Sequence, residues 1–280
     1  MEIIRIPRIM REITRDLRTK SKSIGFVPTM GALHEGHLSL IRRAKDENDI
    51  SIVSIFVNPK QFLAGEDFEK YPRDVESDKE KLIRLGIDYL FLPDTDSLYP
   101  NGYSTYVNVE GLSEKLCGKF RPGHFRGVAT VVCKLFNLVR PTRAYFGQKD
   151  YQQSLIIKRM IEDLNFDTEL IICPTMREED GLAMSSRNSY LNEREREAAT
   201  VIFKALKAGE AMLKEYKTPQ EATQKMLEIL KSQPLVTEIQ YVGVYDPLNL
   251  EEVKEKQEKY LLAIAVKIGQ TRLIDNVLIY

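Results

Sequence analysis

The chain has few of the features of a secreted, membrane or nucleic-acid-binding protein. Among its 280 residues there is no tryptophan, and only three histidines and three cysteines are present. No apolar run approaches the roughly 18–20 residues of a transmembrane helix, and residues 1–7 lack the apolar core of a signal peptide. Because 41 basic side chains balance 41 acidic ones, the broad positive field typical of nucleic-acid binding is also absent. We therefore expect no membrane partner and no nucleic-acid partner.

The low cysteine content limits the covalent and metal chemistry of the chain. Cys117, Cys133 and Cys173 are an odd number, and no two of them have C-x-x-C spacing. A disulfide framework or a zinc site is therefore not expected. Buried, reduced thiols fit the three residues better, and such thiols are typical of cytoplasmic proteins. The predicted location is the cytoplasm.

The apolar residues that are present follow two alternating periodicities. Hydrophobic residues make up 43% and charged residues 29%, as in ordinary globular proteins. The pattern predicts strands at 24–27, 50–57, 88–92, 105–109, 143–146 and 168–172, and helices at 37–47, 75–85, 127–139 and 151–163. This alternation predicts an α/β fold with a doubly wound, mostly parallel, Rossmann-like sheet. Ligands of such sheets bind beyond the carboxyl ends of the strands, near the point where strand order reverses.

The pattern changes after residue 175. The elements predicted there are helices at 193–216 and after 218–219, and strands at 238–245, 260–268 and 271–279. A turn at 268–271 predicts that the last two strands are antiparallel. We therefore expect a Rossmann-like domain over residues 1–175 and a smaller α+β domain over residues 176–280.

The most informative motif lies between the strand predicted at 24–27 and a helix predicted to begin at His37. It places His34 and His37 three positions apart, in the sequence His34-Glu35-Gly36-His37. A helix N-terminus favours anions, and imidazoles beside it add hydrogen-bond donors, so the motif indicates a nucleotide-phosphate site. Neither a P-loop nor a G-x-G-x-x-G motif accompanies it. Two interpretations stay open beside this one: the histidines only cap the loop and the first turn, or they form a zinc pair, although no third ligand stands at a recognisable spacing.

Two further loops carry side chains that suit anions. Lys149 lies in a Gly-Gln-Lys-Asp turn after a predicted strand, and Asp150 stands where an N-cap residue belongs. Ser185 and Ser186 supply hydroxyls next to Arg187, whose planar guanidinium fits phosphate oxygens. Taken singly, the first loop could be a capped turn with a solvated lysine, and the second a polar interdomain linker. Three such loops in one chain favour a shared phosphate site.

A series of motifs in chain order carries a family resemblance. The H-x-G-H element resembles the nucleotidyltransferase superfamily, and the whole series resembles the pantothenate synthetase family. The motifs are PTMGALHEGH at 28–37, FVNPKQF at 56–62, YPR at 71–73, RPGHFRGV at 121–128, FGQKDYQQ at 146–153, SSRN at 185–188 and RLIDN at 272–276. Together they extend over nearly the whole chain, so the series is far more specific than the short histidine motif.

The resemblance implies an ATP-dependent ligase that condenses pantoate with β-alanine to pantothenate, a precursor of coenzyme A. In such enzymes the pantoate carboxylate attacks the α-phosphorus of MgATP, which gives a pantoyl adenylate and pyrophosphate. The β-alanine amine then displaces AMP. The resemblance also implies a homodimer, and Mg²⁺ that is carried by ATP without direct protein ligands.

The resemblance also implies residue roles. The implied catalytic residues are His34, His37 and Lys149, which would stabilise the transferring α-phosphate. The implied ATP-binding residues are Met30, His37, Gly147, Lys149, Asp150, Met176, Ser185, Ser186 and Arg187, with Gly147 and Asp150 at the ribose and the Met176 backbone near the adenine. The implied substrate-binding residues are Gln61 and Gln153 for pantoate, Val128 and Val131 for its gem-dimethyl group, and Asn58, Gln61 and Tyr71 for β-alanine. Arg121 and His124 receive no role in this set.

Physical chemistry supports the glutamine assignment, because a neutral amide can bind a carboxylate without quenching it as a nucleophile. The main alternative function is a nucleotidyltransferase that moves AMP onto a phosphate acceptor. A non-catalytic nucleotide-binding module is a second alternative, although it would have little need of transition-state donors such as His34, His37 and Lys149. Pyrophosphate release that depends on pantoate separates the ligase from both. A hinge near Thr175 further predicts that residues 176–280 close over bound ATP.

Overall fold

Six parallel strands form the larger of two sheets in the structure, a computed structural model that describes residues 1–280. The strands are β1 (Glu2–Ile4), β2 (Ile24–Thr29), β3 (Ile50–Ile55), β4 (Tyr89–Phe91), β5 (Arg143–Gly147) and β6 (Glu169–Cys173). Their order in the sheet is β1-β4-β3-β2-β5-β6, and each neighbouring pair is parallel. The predicted α/β class with a parallel, doubly wound sheet is confirmed.

The helices associated with this sheet are α1 (Pro7–Thr19), α2 (Glu35–Asp46), α3 (Val75–Leu85), α4 (Thr95–Leu98), α5 (Cys117–Phe120), α6 (His124–Val139) and α7 (Tyr151–Asp163). Successive residues of the central strands point to opposite faces of the sheet. Phe26 and Ile52 join a cluster of 30 buried residues that includes α1, α6 and α7. Val27 and Val53 join a cluster of 13 that includes α2 and α3. Both faces of the sheet are therefore covered, as the almost wholly apolar sequence of residues 50–57 predicts.

The remaining elements form a smaller layer of helices on an antiparallel sheet. They are α8 (Glu193–Ala198), α9 (Val201–Lys214), α10 (Pro219–Lys231), β7 (Val236–Tyr245), β8 (Tyr260–Ile268) and β9 (Thr271–Ile279). The three strands pair in the order β7-β8-β9, and Ile268 pairs with Thr271 across the last turn. The predicted antiparallel hairpin is confirmed. A separate cluster of 18 buried residues holds this layer together. The division of the chain into domains at residue 175 stays a prediction.

The sequence prediction was wrong in several elements. No strand forms at 105–109, where the N–H of Val107 instead donates to the Thr130 hydroxyl on α6 at 2.9 Å. The helix predicted at 193–216 is interrupted at Ala199 and Thr200, and the Thr200 hydroxyl donates to the Glu197 carbonyl there. Neither β1 nor α1 was predicted, although Pro7 at the start of α1 is a helix-opening signal.

Two helix starts also differ from the prediction. Helix α2 begins at Glu35, two residues before His37, and α6 begins at His124 rather than at 127. In both cases the helix is extended at its N-terminal end by residues that the sequence pattern placed in the preceding loop. None of the helices combines the length and apolar character that crossing a membrane would require.

Candidate active site

A cavity of about 230 Å³ lies beyond the carboxyl ends of β2, β3, β5 and β6. Strand order reverses between β2 and β5, so the cavity sits where α/β sheets bind ligands. Every residue to which the family resemblance gives a site role lines it: Met30, His34, His37, Asn58, Gln61, Tyr71, Val128, Val131, Gly147, Lys149, Asp150, Gln153, Met176, Ser185, Ser186 and Arg187. An adjoining cavity of about 1020 Å³ shares Arg121, His124, Lys149, Asp150, Gln153, Ser185 and Arg187 with it.

The two histidines are fixed by the start of α2. His34 is the N-cap residue, and its Nδ1 accepts the N–H of Gly36 at 3.2 Å. Nδ1 of His37 accepts the N–H of His34 at 3.4 Å. The ring centroids lie 4.1 Å apart. The open interpretation of the histidines as capping residues is therefore correct for their Nδ1 atoms, and capping leaves both Nε2 atoms available.

Hydrogen bonding and burial together define the chemical state of this pair. Because each Nδ1 accepts a backbone N–H, the proton of each neutral ring must be on Nε2. Burial and the Lys149 charge lower the pKa of His34 to about 4. Burial and the neighbouring His34 lower the pKa of His37 to about 3. Both rings are therefore neutral Nε2–H donors at neutral pH, which suits phosphoryl oxygens.

The histidine loop is held from behind by α3. The buried carboxylate of Asp78 accepts the N–H of Leu33 at 2.8 Å, and Lys81 donates to the Leu33 carbonyl at 2.7 Å. Gly36 is required by packing, since a Cβ there would lie 2.9 Å from Cε1 of His34. Asp78 and Lys81 were missed by sequence reasoning because no local motif connects α3 to this loop.

Lys149 lies on the opposite side of the strand-order reversal, in a 3₁₀ turn over Gln148–Asp150. No carboxylate lies within ion-pair distance of its ammonium group, although its charge lowers the pKa of both His34 and His37. Asp150 occupies the predicted N-cap position of α7, but its side chain makes no capping hydrogen bond. A Cβ at Gly147 would meet no atom within 4 Å, so the backbone there borders open space.

A residue of the second sheet anchors the Lys149 turn. Nδ2 of Asn276, on β9, donates to the carbonyls of Gln148 and Lys149 at 2.9 Å each. The adjacent Asp275 binds both terminal nitrogens of Arg177 at 2.6 and 3.0 Å. These contacts connect β9 to the Lys149 turn and to the segment that contains Met176. The RLIDN motif thus supplies structural support that sequence reasoning did not assign.

The serine–arginine segment reaches the histidine loop directly. The Ser186 hydroxyl donates to the Ala32 carbonyl at 3.2 Å, and the Ser185 hydroxyl accepts the N–H of Arg187 at 3.3 Å. The guanidinium of Arg187 binds the Asp67 carboxylate through two hydrogen bonds and lies 5.8 Å from the Tyr71 ring centroid. The three anion-suited loops therefore converge on one cavity.

Gln61 and Asn58 form a buried amide pair at the floor of the cavity. Oδ1 of Asn58 accepts the N–H of Lys60 and the Tyr99 hydroxyl, so its Nδ2 donates to the Gly127 carbonyl and to Oε1 of Gln61. Nε2 of Gln61 consequently faces Met30, 3.0 Å from its sulfur. Asn58 is only 1% exposed. The structure thus gives Asn58 the task of orienting Gln61, and its contact with β-alanine stays a prediction.

Two neighbouring glutamines on α7 have different surroundings. Gln152 is buried, accepts the N–H of Cys117 and donates to the carbonyls of Leu112 and Lys115. The side chain of Gln153 has no hydrogen bond within the protein and faces both cavities. Its amide is therefore free to bind a polar ligand.

Helix α6 supplies the apolar wall of the cavity. Val128, Val131, Val132 and Leu135 lie on one helical face, and all line the cavity. Helix and floor are in close contact at Gly127, where a Cβ would lie 2.1 Å from the Lys60 carbonyl oxygen. The wall suits branched aliphatic groups.

Arg121 and His124, which sequence reasoning left without a role, form a network behind Gln61. Burial and the Arg121 charge lower the pKa of His124 to about 3, so the ring is neutral. Its Nδ1 lies 2.7 Å from the Gln61 carbonyl oxygen and must carry the proton there, which leaves Nε2 to accept from Arg121 at 3.0 Å. Arg121 in turn binds the Glu66 carboxylate.

Comparison with known proteins gives one consistent result. A model of the pantoate–β-alanine ligase family matches residues 2–278. The chain is 76% identical to the pantothenate synthetase of Thermodesulfovibrio yellowstonii, and the alignment covers 100% of each of the two chains. It is 54% identical to the pantothenate synthetase of Pelotomaculum thermopropionicum, over 96% of each chain.

Comparison with solved structures gives the same result as comparison of sequences. The pantothenate synthetase of Thermus thermophilus superposes with a TM-score of 0.94 at 42% identity over 99% of each chain. A pantoate–β-alanine ligase from Francisella tularensis, complexed with β-γ ATP and β-alanine, gives a TM-score of 0.80 at 38% identity, over 99% of this chain and 97% of that one.

Proposed function

The chain belongs to the pantoate–β-alanine ligase family, and we propose that its cavity joins the two substrates through a pantoyl adenylate. The main support is the convergence of two neutral Nε2–H imidazoles, a free lysine and a free glutamine amide on a single cavity. The comparisons favour this reaction over transfer of AMP to a phosphate acceptor.

In the first step a pantoate carboxylate oxygen attacks the α-phosphorus of ATP, and the bond to the β-phosphate oxygen breaks. Negative charge then moves onto the phosphoryl oxygens and the leaving pyrophosphate. His34 and His37 donate from Nε2 to the α-phosphoryl oxygens, and Lys149 adds a positive charge. Donors already fixed by α2 need no reorganisation during the step, which is why they stabilise the transition state.

In the second step the β-alanine amine attacks the acyl carbon of the mixed anhydride. The bond to the phosphate oxygen breaks, AMP leaves, and the amine loses a proton as the amide forms. We assign the β-alanine end of the cavity to Gln61, Asn58 and Tyr71. Asn58 acts there through Gln61, since its own amide is fully used within the protein.

Pantoate lies between Gln61 and Gln153, with its gem-dimethyl group against Val128 and Val131. Nε2 of Gln61 faces the cavity because Asn58 occupies its Oε1, so this amide can donate to a carboxylate. Two neutral amides hold the acid without neutralising its attacking oxygen.

ATP occupies the part of the cavity that the remaining residues line. We assign the phosphates to Ser185, Ser186 and Arg187, the ribose to Gly147 and Asp150, the adenine to the Met176 backbone, and Met30 to the side of the acyl phosphate. No group of three or more His, Cys, Asp or Glu side chains is arranged to hold a metal ion. We propose that Mg²⁺ arrives bound to ATP oxygens, as a cation that keeps much of its water shell.

Isotope transfer tests the adenylate directly. Pantoate labelled with ¹⁸O in its carboxylate is incubated with ATP and β-alanine, and the products are analysed by mass spectrometry. One labelled oxygen should appear in AMP, because that oxygen bridges carbon and phosphorus in the adenylate. The controls omit pantoate or replace it with a phosphate acceptor. Unlabelled AMP, or ATP consumption that continues without pantoate, would be incompatible with the proposed reaction.

We further propose the division at residue 175, closure of residues 176–280 over ATP, a homodimer and a cytoplasmic location. The three cysteines are free thiols, which fits a reducing compartment. Light scattering gives the oligomeric state. X-ray scattering with and without a non-hydrolysable ATP analogue tests the closure, and identical profiles would contradict a large movement.

A further inference from the structure

Two consecutive carboxylates in the loop between Gln61 and Tyr71 each hold an arginine of the site. Nε and Nη2 of Arg121 lie 2.6 and 2.7 Å from the oxygens of Glu66. Nε and Nη2 of Arg187 lie 2.8 and 2.9 Å from the oxygens of Asp67. One dipeptide therefore binds the same edge of two guanidinium groups that come from distant parts of the chain.

Because each carboxylate binds only Nε and Nη2, Nη1 of each arginine can bind a different group. Nη1 of Arg121 donates to Nε2 of His124 at 3.0 Å, and His124 donates to the Gln61 carbonyl. Nη1 of Arg187 has no acceptor in the protein, and Arg187 lines both cavities. A two-point contact fixes the plane of a guanidinium, so Asp67 can orient Arg187 without using the donors that face a phosphate.

The two pairs are charged and partly shielded from water. Burial raises the pKa of Glu66 and of Asp67, but the hydrogen bonds from Arg121 and Arg187 outweigh it and leave each pKa below its ordinary value. Glu69, two residues further on, is exposed and forms no ion pair. The loop thus contains its own comparison residue.

We propose that Glu66 and Asp67 are positioning residues that serve the two halves of the site separately. Asp67 directs Arg187 at the phosphates of ATP, and Glu66 acts through Arg121 and His124 to hold Gln61 in the acid pocket. The identity of the two ligands rests on the proposed function. The opposite arrangement, in which Asp67 competes with phosphate for Arg187, predicts an effect of opposite sign.

Three matched substitutions test the proposal: Asp67→Asn, Glu66→Gln and, as the control, Glu69→Gln. ATP affinity is measured by calorimetry without pantoate, so that no turnover occurs, and the KM for pantoate is measured at saturating ATP. Asp67→Asn should weaken ATP binding about tenfold and leave the pantoate KM within about twofold of the wild-type value. Glu66→Gln should raise the pantoate KM about tenfold and leave ATP affinity within about twofold. Glu69→Gln should change neither.

A double-mutant cycle identifies the partner of Asp67. In an Arg187→Ala background, Asp67→Asn should cause no further loss of ATP affinity, because the group that it orients is absent. Thermal unfolding shows whether Asp67→Asn folds. If it does not, Arg187→Lys tests the same contact, because this substitution keeps the charge and removes the planar fork.

Two results would overturn the proposal. Tighter ATP binding by Asp67→Asn would mean that the carboxylate competes with phosphate. Equal losses for both ligands in either variant would mean that the loop only supports the fold. Because ATP binding is measured without the acid, the Asp67 result stands even if the wild-type protein forms no pantothenate, and that failure would count against the proposed function alone.

Discussion

Nδ2 of Asn58 donates to Oε1 of Gln61 at 3.0 Å, and both side chains are nearly buried. This contact decides which end of the Gln61 amide faces the cavity. The orientation of Asn58 is itself determined, since its Oδ1 accepts from Lys60 and Tyr99. A donor, not an acceptor, is thereby presented to a bound carboxylate.

We expect Asn58→Ala to raise the pantoate KM about tenfold while ATP affinity stays unchanged, because Gln61 is free to rotate. The substitution also leaves the buried Tyr99 hydroxyl without its acceptor, so the free energy of unfolding should fall by about 1–3 kcal/mol. Steady-state kinetics and urea unfolding measure the two effects. Asn137→Ala, which removes an exposed amide from α6, is the control. An unchanged pantoate KM in Asn58→Ala would contradict the orienting role.

The neighbouring glutamines of α7 should respond in opposite ways. Gln153→Ala should raise the pantoate KM more than the ATP KM and leave the melting temperature nearly unchanged, because this side chain has no partner in the protein. Gln152→Ala should lower the free energy of unfolding by about 1–3 kcal/mol, because it leaves buried backbone groups of Cys117 and Leu112 unpaired. Each variant is the control for the other, and equal changes in pantoate and ATP KM for Gln153→Ala would count against the pocket assignment.

The tautomers of the three histidines can be read by long-range ¹H–¹⁵N NMR. At pH 7 we expect neutral rings throughout, with the proton on Nε2 in His34 and His37 and on Nδ1 in His124. His34→Gln assigns one signal. A charged ring at pH 7, or an Nδ1 proton on His34 or His37, would refute the arrangement of donors.

The same lowered pKa values predict how stability depends on pH. The unfolded chain takes up protons at its histidines as pH falls through about 6.5, whereas folded His34 remains neutral down to about 4 and His37 and His124 to about 3. The unfolded state therefore binds more protons in this window, and the free energy of unfolding should fall as pH decreases from 6.5 towards 4. His34→Gln should reduce that slope, as measured by denaturant unfolding at several pH values.

His34→Ala should slow adenylate formation at least about 100-fold, the scale for loss of one transition-state donor. Single-turnover measurements with ATP and pantoate isolate this step. Asp16→Ala, on the exposed face of α1, is the control. A near-normal single-turnover rate in His34→Ala would show that the ring only caps α2.

Local patterns predicted much of the sheet and the position of the site. The strands at 24–27 and 143–146 and the loops that follow them lie almost where periodicity placed them, because strand ends and helix starts have local chemical signatures. The strand predicted at 105–109 does not form, because a contact with a distant residue determines the backbone there. Its alternating residues fit a strand, but Thr130 on α6 takes the N–H of Val107, and no local pattern encodes that contact.

The chain by itself determined which residues could perform the chemistry: the H-x-G-H motif, the lysine turn and the serine–arginine segment follow from residue type and spacing, and the two glutamines follow from the family resemblance. Tertiary structure decided how they are used. The protonated nitrogen of His124 and the pairing of Asp67 with Arg187 depend on contacts between distant segments. The cavity-facing end of Gln61 does so through Asn58, which Tyr99 and Gly127 orient. The strength and direction of such polar contacts depend on burial and on three-dimensional neighbours, which chain order does not contain.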